Sequence, residues 1–234
     1  MAGFQTSVQI NPAFGVAGDF GQIGPWTTVP ALAGELTASS AGVTIGGFAW
    51  ADDSTGVVYS QKPNLTSTRF GFVGRAGQRA IITTYLAEAV FLVAPGFEIT
   101  LYNGGSYLYS VPTGGSTVGQ KLFAKYVDGS IVLGAAGSPP TTTGSVTTTS
   151  GSATISYTPA SLTLVPGMPI SGTGIPAGAL VATVNSGAGT ATISANATAS
   201  GTVTATVTTA YETRFFAHTT NVAGDVGIMS DKGF

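Results

Sequence analysis

The chain has 234 residues, room for one large domain or two small ones, and 43% of them are hydrophobic, enough for a core. Only 8% are charged, about a third of the ~25% usual in globular domains. A net charge of −2 leaves no electrostatic footprint for nucleic acid or an anionic membrane, and the lack of cysteine excludes disulfide frameworks and thiolate chemistry.

Abundant Gly and Thr/Ser without long helix-forming runs point to an all-β chain with many turns. No window reaches the ~18 apolar residues of a membrane span. The opening MAGFQTSVQINPAFG has neither the basic nor the apolar region of a secretory signal, so the expectation is a non-membrane protein made in the cytoplasm.

In chain order, TSVQINP alternates over Val8 and Ile10 until Pro12 ends the strand. GVTIGGFAWAD runs through Val43, Ile45, Phe48 and Trp50 to a turn at Asp52-Asp53. TGVVYS and RFGFVGR follow; Arg69, Arg75 and Arg79 form the densest basic cluster, read as solvated or interface-facing. AIITTYL and AVFLVAPG come next, and YLAEAV is the one stretch that could pass for a helical turn. FEITLYNGG ends in Asn103-Gly104, the best hairpin signal in the chain, with SYLYSV as its returning strand. QKLFAKYVDGSIVLGA holds a second hairpin, turning at Asp128-Gly129. Such spacing predicts a β-barrel or β-sandwich.

At about Gly137 the character changes. GSPPTTTGS reads as a linker, and between Asp128 and Glu212 no residue is charged. Tyr157 is the single aromatic residue from there to Tyr211. Period-2 segments such as SATISYT, LVATVNS, TATISAN and TVTATVTT still alternate, so residues 138–208 are expected to form a small β-sandwich or barrel, Ig-like or similar. Charged and aromatic sequence then resumes, and VAGD at Val16–Asp19 recurs at Val222–Asp225. Two similar strand–turn elements at both ends suggest a discontinuous domain, residues 1–137 plus 209–234, with 138–208 inserted into it.

No catalytic, cofactor-binding or metal site emerges. The single His218 has no Ser-Gly elbow or carboxylate near it in sequence, and one histidine cannot make a zinc H-x-x-x-H pair. Adjacent Asp52 and Asp53 would point to opposite faces of a strand and read as hairpin residues. GSYLYSVPTGGSTVG lacks the Lys-Ser/Thr of a phosphate loop. The chain reads as binding or architectural, not enzymatic.

The opening MAGFQTSVQINPAFGVAGDF, the strand GVTIGGFAWAD, the block GFVGRAGQRAIITTYLAEAVFLVAPGFEITLYNGG and the segment TVGQKLFAKYVDGSI together resemble the structural cement proteins of tailed bacteriophages. The resemblance covers residues 1–137 and 209–234; the family's acidic NGGD is NGGS here, at Ser106. It implies a decoration protein on the outer capsid surface, made in the bacterial host, that bridges neighbouring major capsid protein subunits. It also implies a homo-oligomer without catalytic activity, a trimer at three-fold positions, with a dimer at two-fold positions as the second choice. Phe4, Phe14, Phe20 and Trp26 are the candidate capsid or inter-subunit anchors, since buried aromatic residues dominate such interfaces. Val8 and Ile10 fit the core better. An alternative is a capsid- or tail-borne adhesion module whose inserted domain binds host-surface or mucus glycans. Such sites use exposed aromatic platforms, and the insertion offers only Tyr157. A surface-layer repeat would need an export route that the sequence does not display.

Overall fold

The computed structural model describes residues 15–21, 24–31, 34–75 and 91–232. Every regular element among them is a strand, as the composition implies. The first run is β1 (Thr27–Thr28), β2 (Thr37–Ala38), β3 (Val43–Thr44), β4 (Phe48–Ala51), β5 (Val57–Tyr59), β6 (Phe70–Val73), β7 (Leu92–Val93) and β8 (Leu101–Gly104). It continues with β9 (Ser106–Ser110), β10 (Lys121–Lys125), β11 (Ile131–Gly134), β12 (Thr141–Thr148) and β13 (Thr154–Tyr157). The last are β14 (Ile170–Ser171), β15 (Val181–Asn185), β16 (Thr190–Ile193), β17 (Gly201–Thr208), β18 (Ala210–Ala217) and β19 (Val226–Ser230).

One sheet has the order β1-β8-β6-β4-β5-β2, antiparallel except where β2 joins β5 in parallel. Its central strands are buried on both faces, so they read as continuous apolar runs. Phe48 and Trp50 of β4 meet Phe72 and Phe70 of β6 on one face. Ala49 and Ala51 face the other way, into a second core with Val43, Val73, Val93 and Leu101. The aromatic face packs against a sheet of order β11-β10-β18-β19-β9. Rings cross the gap, with Phe48 5.8 Å from Phe215 and Phe72 5.0 Å from Tyr107.

The expected strand over 43–50 divides at Gly46-Gly47: β3 pairs with β7, whereas β4 enters the larger sheet. The hairpin at Asp128-Gly129 is present, with β10 and β11 antiparallel and the Gly129 N–H bonded to the Lys125 carbonyl at 2.9 Å. The hairpin at Asn103-Gly104 is not. Strand β8 pairs with β1 and β6, while β9 pairs with β19 in the other sheet. Gly105, at φ +122°, bends the chain between the sheets.

The two VAGD segments become matching turns on either side of β9. Asp19 N–H bonds to the Val16 carbonyl at 3.1 Å, and Asp225 N–H to the Val222 carbonyl at 3.2 Å. The first delivers Phe20 to an antiparallel bridge with Tyr107; the second delivers β19 to the opposite edge of β9.

Strands β12 to β17 form a third sheet, ordered β14-β17-β12-β13-β16-β15. Its ends meet: Gly167 N–H bonds to the Val181 carbonyl at 2.7 Å, and Val181 N–H to that of Met168 at 2.9 Å. The segment is thus a small barrel, the second of the two expected forms. Val146, Ile155, Leu162, Val181 and Val207 fill it. Its outer face carries hydroxyls: Thr141, Thr143, Ser145 and Thr147 of β12 stand opposite Thr208, Thr206, Thr204 and Thr202 of β17. Threonine pairs suit a pleated surface and its hydration, which explains how so long an uncharged stretch folds with a wet exterior.

Two chain crossings join this barrel to the paired sheets. Thr209 N–H bonds to the Pro140 carbonyl at 2.9 Å, and Tyr126 N–H to the Thr209 carbonyl at 3.1 Å. The Lys62 side chain lies against Gly167, with its ammonium 5.8 Å from the centre of the Tyr126 ring. Burial lowers the Lys62 pKa and pushes the Tyr126 phenol up to about 12.

Candidate functional site

Phe4 and Phe14 lie outside the described residues, as do Val8, Ile10, Arg79 and YLAEAV. Phe20 and Trp26 are brought together. Their rings meet edge to face at 5.2 Å, and Phe20 also packs 5.2 Å from Tyr102 and 5.7 Å from Tyr107. The first VAGD turn lays Phe20 along β9, while Trp26 immediately precedes β1, on the edge of the facing sheet. The crossing point is Gly105, where an added Cβ would sit 2.5 Å from Trp26 Cδ1. The Trp26 indole N–H donates to the Ser106 carbonyl at 3.3 Å, which fixes the ring.

Both rings keep large exposed areas, 38% for Phe20 and 46% for Trp26. An aromatic pair anchored on one side and wet on the other is the form that interface anchors take. Phe91, Phe97, Val118 and Val222 are further exposed apolar side chains.

The carboxylate pair at 52–53 has divergent tasks. Asp52 Oδ1 accepts from the Ser54 N–H at 2.8 Å, closing the turn between β4 and β5, and its Oδ2 accepts from the Asn64 amide at 3.2 Å. Asp53 accepts from Arg69 Nε at 2.7 Å and from the Thr68 N–H and hydroxyl. Burial alone would raise the Asp53 pKa, but hydrogen bonds from Arg69 and Thr68, with the Arg69 charge, bring it down to about 2. The expectation that Arg69 is solvated or interface-facing is therefore corrected: it is 7% exposed and also donates to the Asp52 carbonyl at 3.0 Å. Its sequence neighbours gave no sign of this, because Asp53 is one strand away.

Asn64, the first residue of an Asn-Leu-Thr triplet, has a structural task in the same loop. Its side-chain oxygen accepts from the Ser67 N–H at 2.8 Å and orders the loop before β6. His218 lies beside the ladder between β18 and β19; its N–H donates to the Ile228 carbonyl, and its Nε2 lies 3.1 Å from the Lys232 carbonyl. Among the described residues, no three His, Cys, Asp or Glu side chains gather where they could hold a metal ion.

A model of the XM1 gp53 minor capsid protein family matches residues 4–157. The chain belongs to that family. This places it among proteins of the bacteriophage virion and agrees with the resemblance in the sequence. The match includes the Phe20–Trp26 pair and runs on through β12 and β13, ending at Tyr157 inside the small barrel. No curated protein matches this minor capsid chain.

Proposed function

We propose that the protein is a capsid decoration protein that binds the outer surface of the virion and bridges neighbouring major capsid protein subunits, without catalytic activity. The family match carries this reading. The exposed Phe20–Trp26 pair supports it, because it offers an anchored aromatic contact at the protein surface. Residues 1–137 and 209–234 form the capsid-binding part in this reading, and 138–208 projects from it. Weak individual contacts suffice on a closed symmetric shell, where many copies act together. A homotrimer at three-fold positions is the favoured assembly, with a dimer at two-fold positions as the second form.

A cryo-electron microscopy map of the virion tests all of this at once. The expected result is density for the chain outside the capsid shell, with Phe20 and Trp26 against a coat subunit or a second copy. Density inside the shell, or the absence of the chain from purified virions, overturns the reading.

A further inference from the structure

Strand β18 contains an irregularity that ladder pairing does not require. Lys121 stands opposite Phe216 and Phe123 opposite Glu212, so Leu122 alone faces Thr213, Arg214 and Phe215. The Thr213 hydroxyl donates to the Leu122 carbonyl at 2.8 Å and accepts from the Phe215 N–H at 3.1 Å, replacing the lost ladder bonds. Bulges of this kind re-aim side chains and collect beside functional sites. Here the bulge forms one wall of a cavity of ≈ 190 Å³, closed on the other side by Phe70, Tyr102 and Asn103.

Tyr211 forms the lip. It is 45% exposed, yet its ring is held 5.0 Å from Phe70 at an interplanar angle of 61°. A ring fixed on one side and open on the other is a stacking platform for an apolar ring face. The polar groups around it suit hydroxyls. Arg214, exposed on the bulge, supplies donors. Glu212 supplies acceptors and is tethered by the Gly137 N–H at 3.1 Å. The Asn103 oxygen accepts from the Thr27 hydroxyl at 2.7 Å, which leaves its NH₂ to donate.

We propose that this cavity binds one ring of a neutral saccharide. One cation and one anion at the rim favour a ligand without net charge. The volume is below the ~300 Å³ at which pockets for drug-sized ligands begin, which fits a single sugar ring. An extended peptide is a poor occupant: β8 lies between β1 and β6, and the part of β18 before its pairing with β19 at Phe216 and Ala217 carries the bulge, which breaks the regular ladder that an added strand needs. The site belongs to the paired sheets, not to the inserted barrel, whose one tyrosine, Tyr157, is buried. It does not depend on where the chain sits in the virion.

Saturation-transfer NMR of the full chain with methyl glycosides of glucose, galactose, mannose and N-acetylglucosamine tests the proposal, with methyl glucuronide as the charged comparison. Transfer to at least one neutral glycoside is expected. Tyr211→Ala and Arg214→Ala should each weaken it tenfold or more, whereas Thr143→Ala on the outer barrel should leave it unchanged. The Arg214 side chain is exposed, so that variant keeps its melting temperature. No transfer to any neutral glycoside overturns the proposal, as does transfer that survives both substitutions or that is stronger for the glucuronide.

Discussion

Arg69 Nε donates to Asp53 Oδ1 at 2.7 Å, and the same guanidinium reaches the carbonyl of Asp52 at 3.0 Å. One buried side chain thus ties β6 to the turn that joins β4 and β5, beneath the strands that carry the aromatic core. Arg69→Ala removes the charged partner of Asp53, which keeps its bonds from Thr68, and should cost about 2 kcal/mol, read from the midpoint of a urea melt. Arg69→Lys should recover only part, since a point charge cannot make both bonds.

The same pair predicts the acid limit. Asp53 has its pKa depressed from 3.8 to about 2 in the folded protein. Its contribution is therefore full above about pH 4 and is lost as the pH falls towards about 2. Melting temperatures measured from pH 5 to pH 2 should show that loss in the natural protein and a weaker one in Asp53→Asn.

Gly129 predicts a backbone failure. A Cβ added there would lie 1.8 Å from the Phe48 carbonyl oxygen, at a φ of +70°. The Phe48 N–H bonds to the Gly129 carbonyl at 2.8 Å, so the hairpin tip between β10 and β11 is fastened directly to β4. Gly129→Ala should destabilise the fold by about 3 kcal/mol or prevent soluble expression, at the top of the ~1–3 kcal/mol of a strained backbone position, because the added Cβ also meets a carbonyl oxygen. A melt near that of the natural protein would refute this contact.

Phe20 and Trp26 separate binding from folding. Because both are substantially exposed, Trp26→Ala should change stability by about 1 kcal/mol or less. Under the decoration reading it should nevertheless lower occupancy on purified capsids at least tenfold, as measured by co-sedimentation. Unchanged occupancy would remove these rings from the interface.

Replacing residues 141–208 with a short turn tests the discontinuous organisation. Strand β18 pairs with β10 through Ala124–Tyr211 and Lys125–Ala210, contacts that do not pass through the barrel. A soluble, capsid-binding remainder is expected, with a lower melting temperature because the side chains of both parts form one continuous core. An insoluble product under otherwise permissive conditions would count against it.

What the sequence made legible was local. Alternation and an Asp-Gly pair placed the β10–β11 hairpin, since both partners lie within a few residues of the turn. Asn103-Gly104 carried an equally strong signal, but β19 and the segment around Phe20 occupy both edges of β9, so the returning strand belongs to another sheet. The parallel β2–β5 pair and the Asp53–Arg69 contact join distant segments, and nothing in their own neighbourhoods marks them. In the sequence Phe20 and Trp26 are two separate aromatic residues. That they touch, across a glycine corner 79 positions beyond Trp26, is a product of sheet packing. The cavity on the β18 bulge was hidden for the same reason, because Phe70, Tyr102 and Tyr211 share no sequence window.

Thr141 and Thr208, the first and last residues of the barrel strands, stand directly opposite each other across one ladder. The two points where the chain crosses into the barrel are therefore only about 5 Å apart, one strand spacing. Any folded module whose own ends lie side by side can be spliced at that junction without prising β10 and β18 apart. The junction is thus a point of exchange, and another module placed there would have to replace the core contacts that the barrel shares with the aromatic sheets.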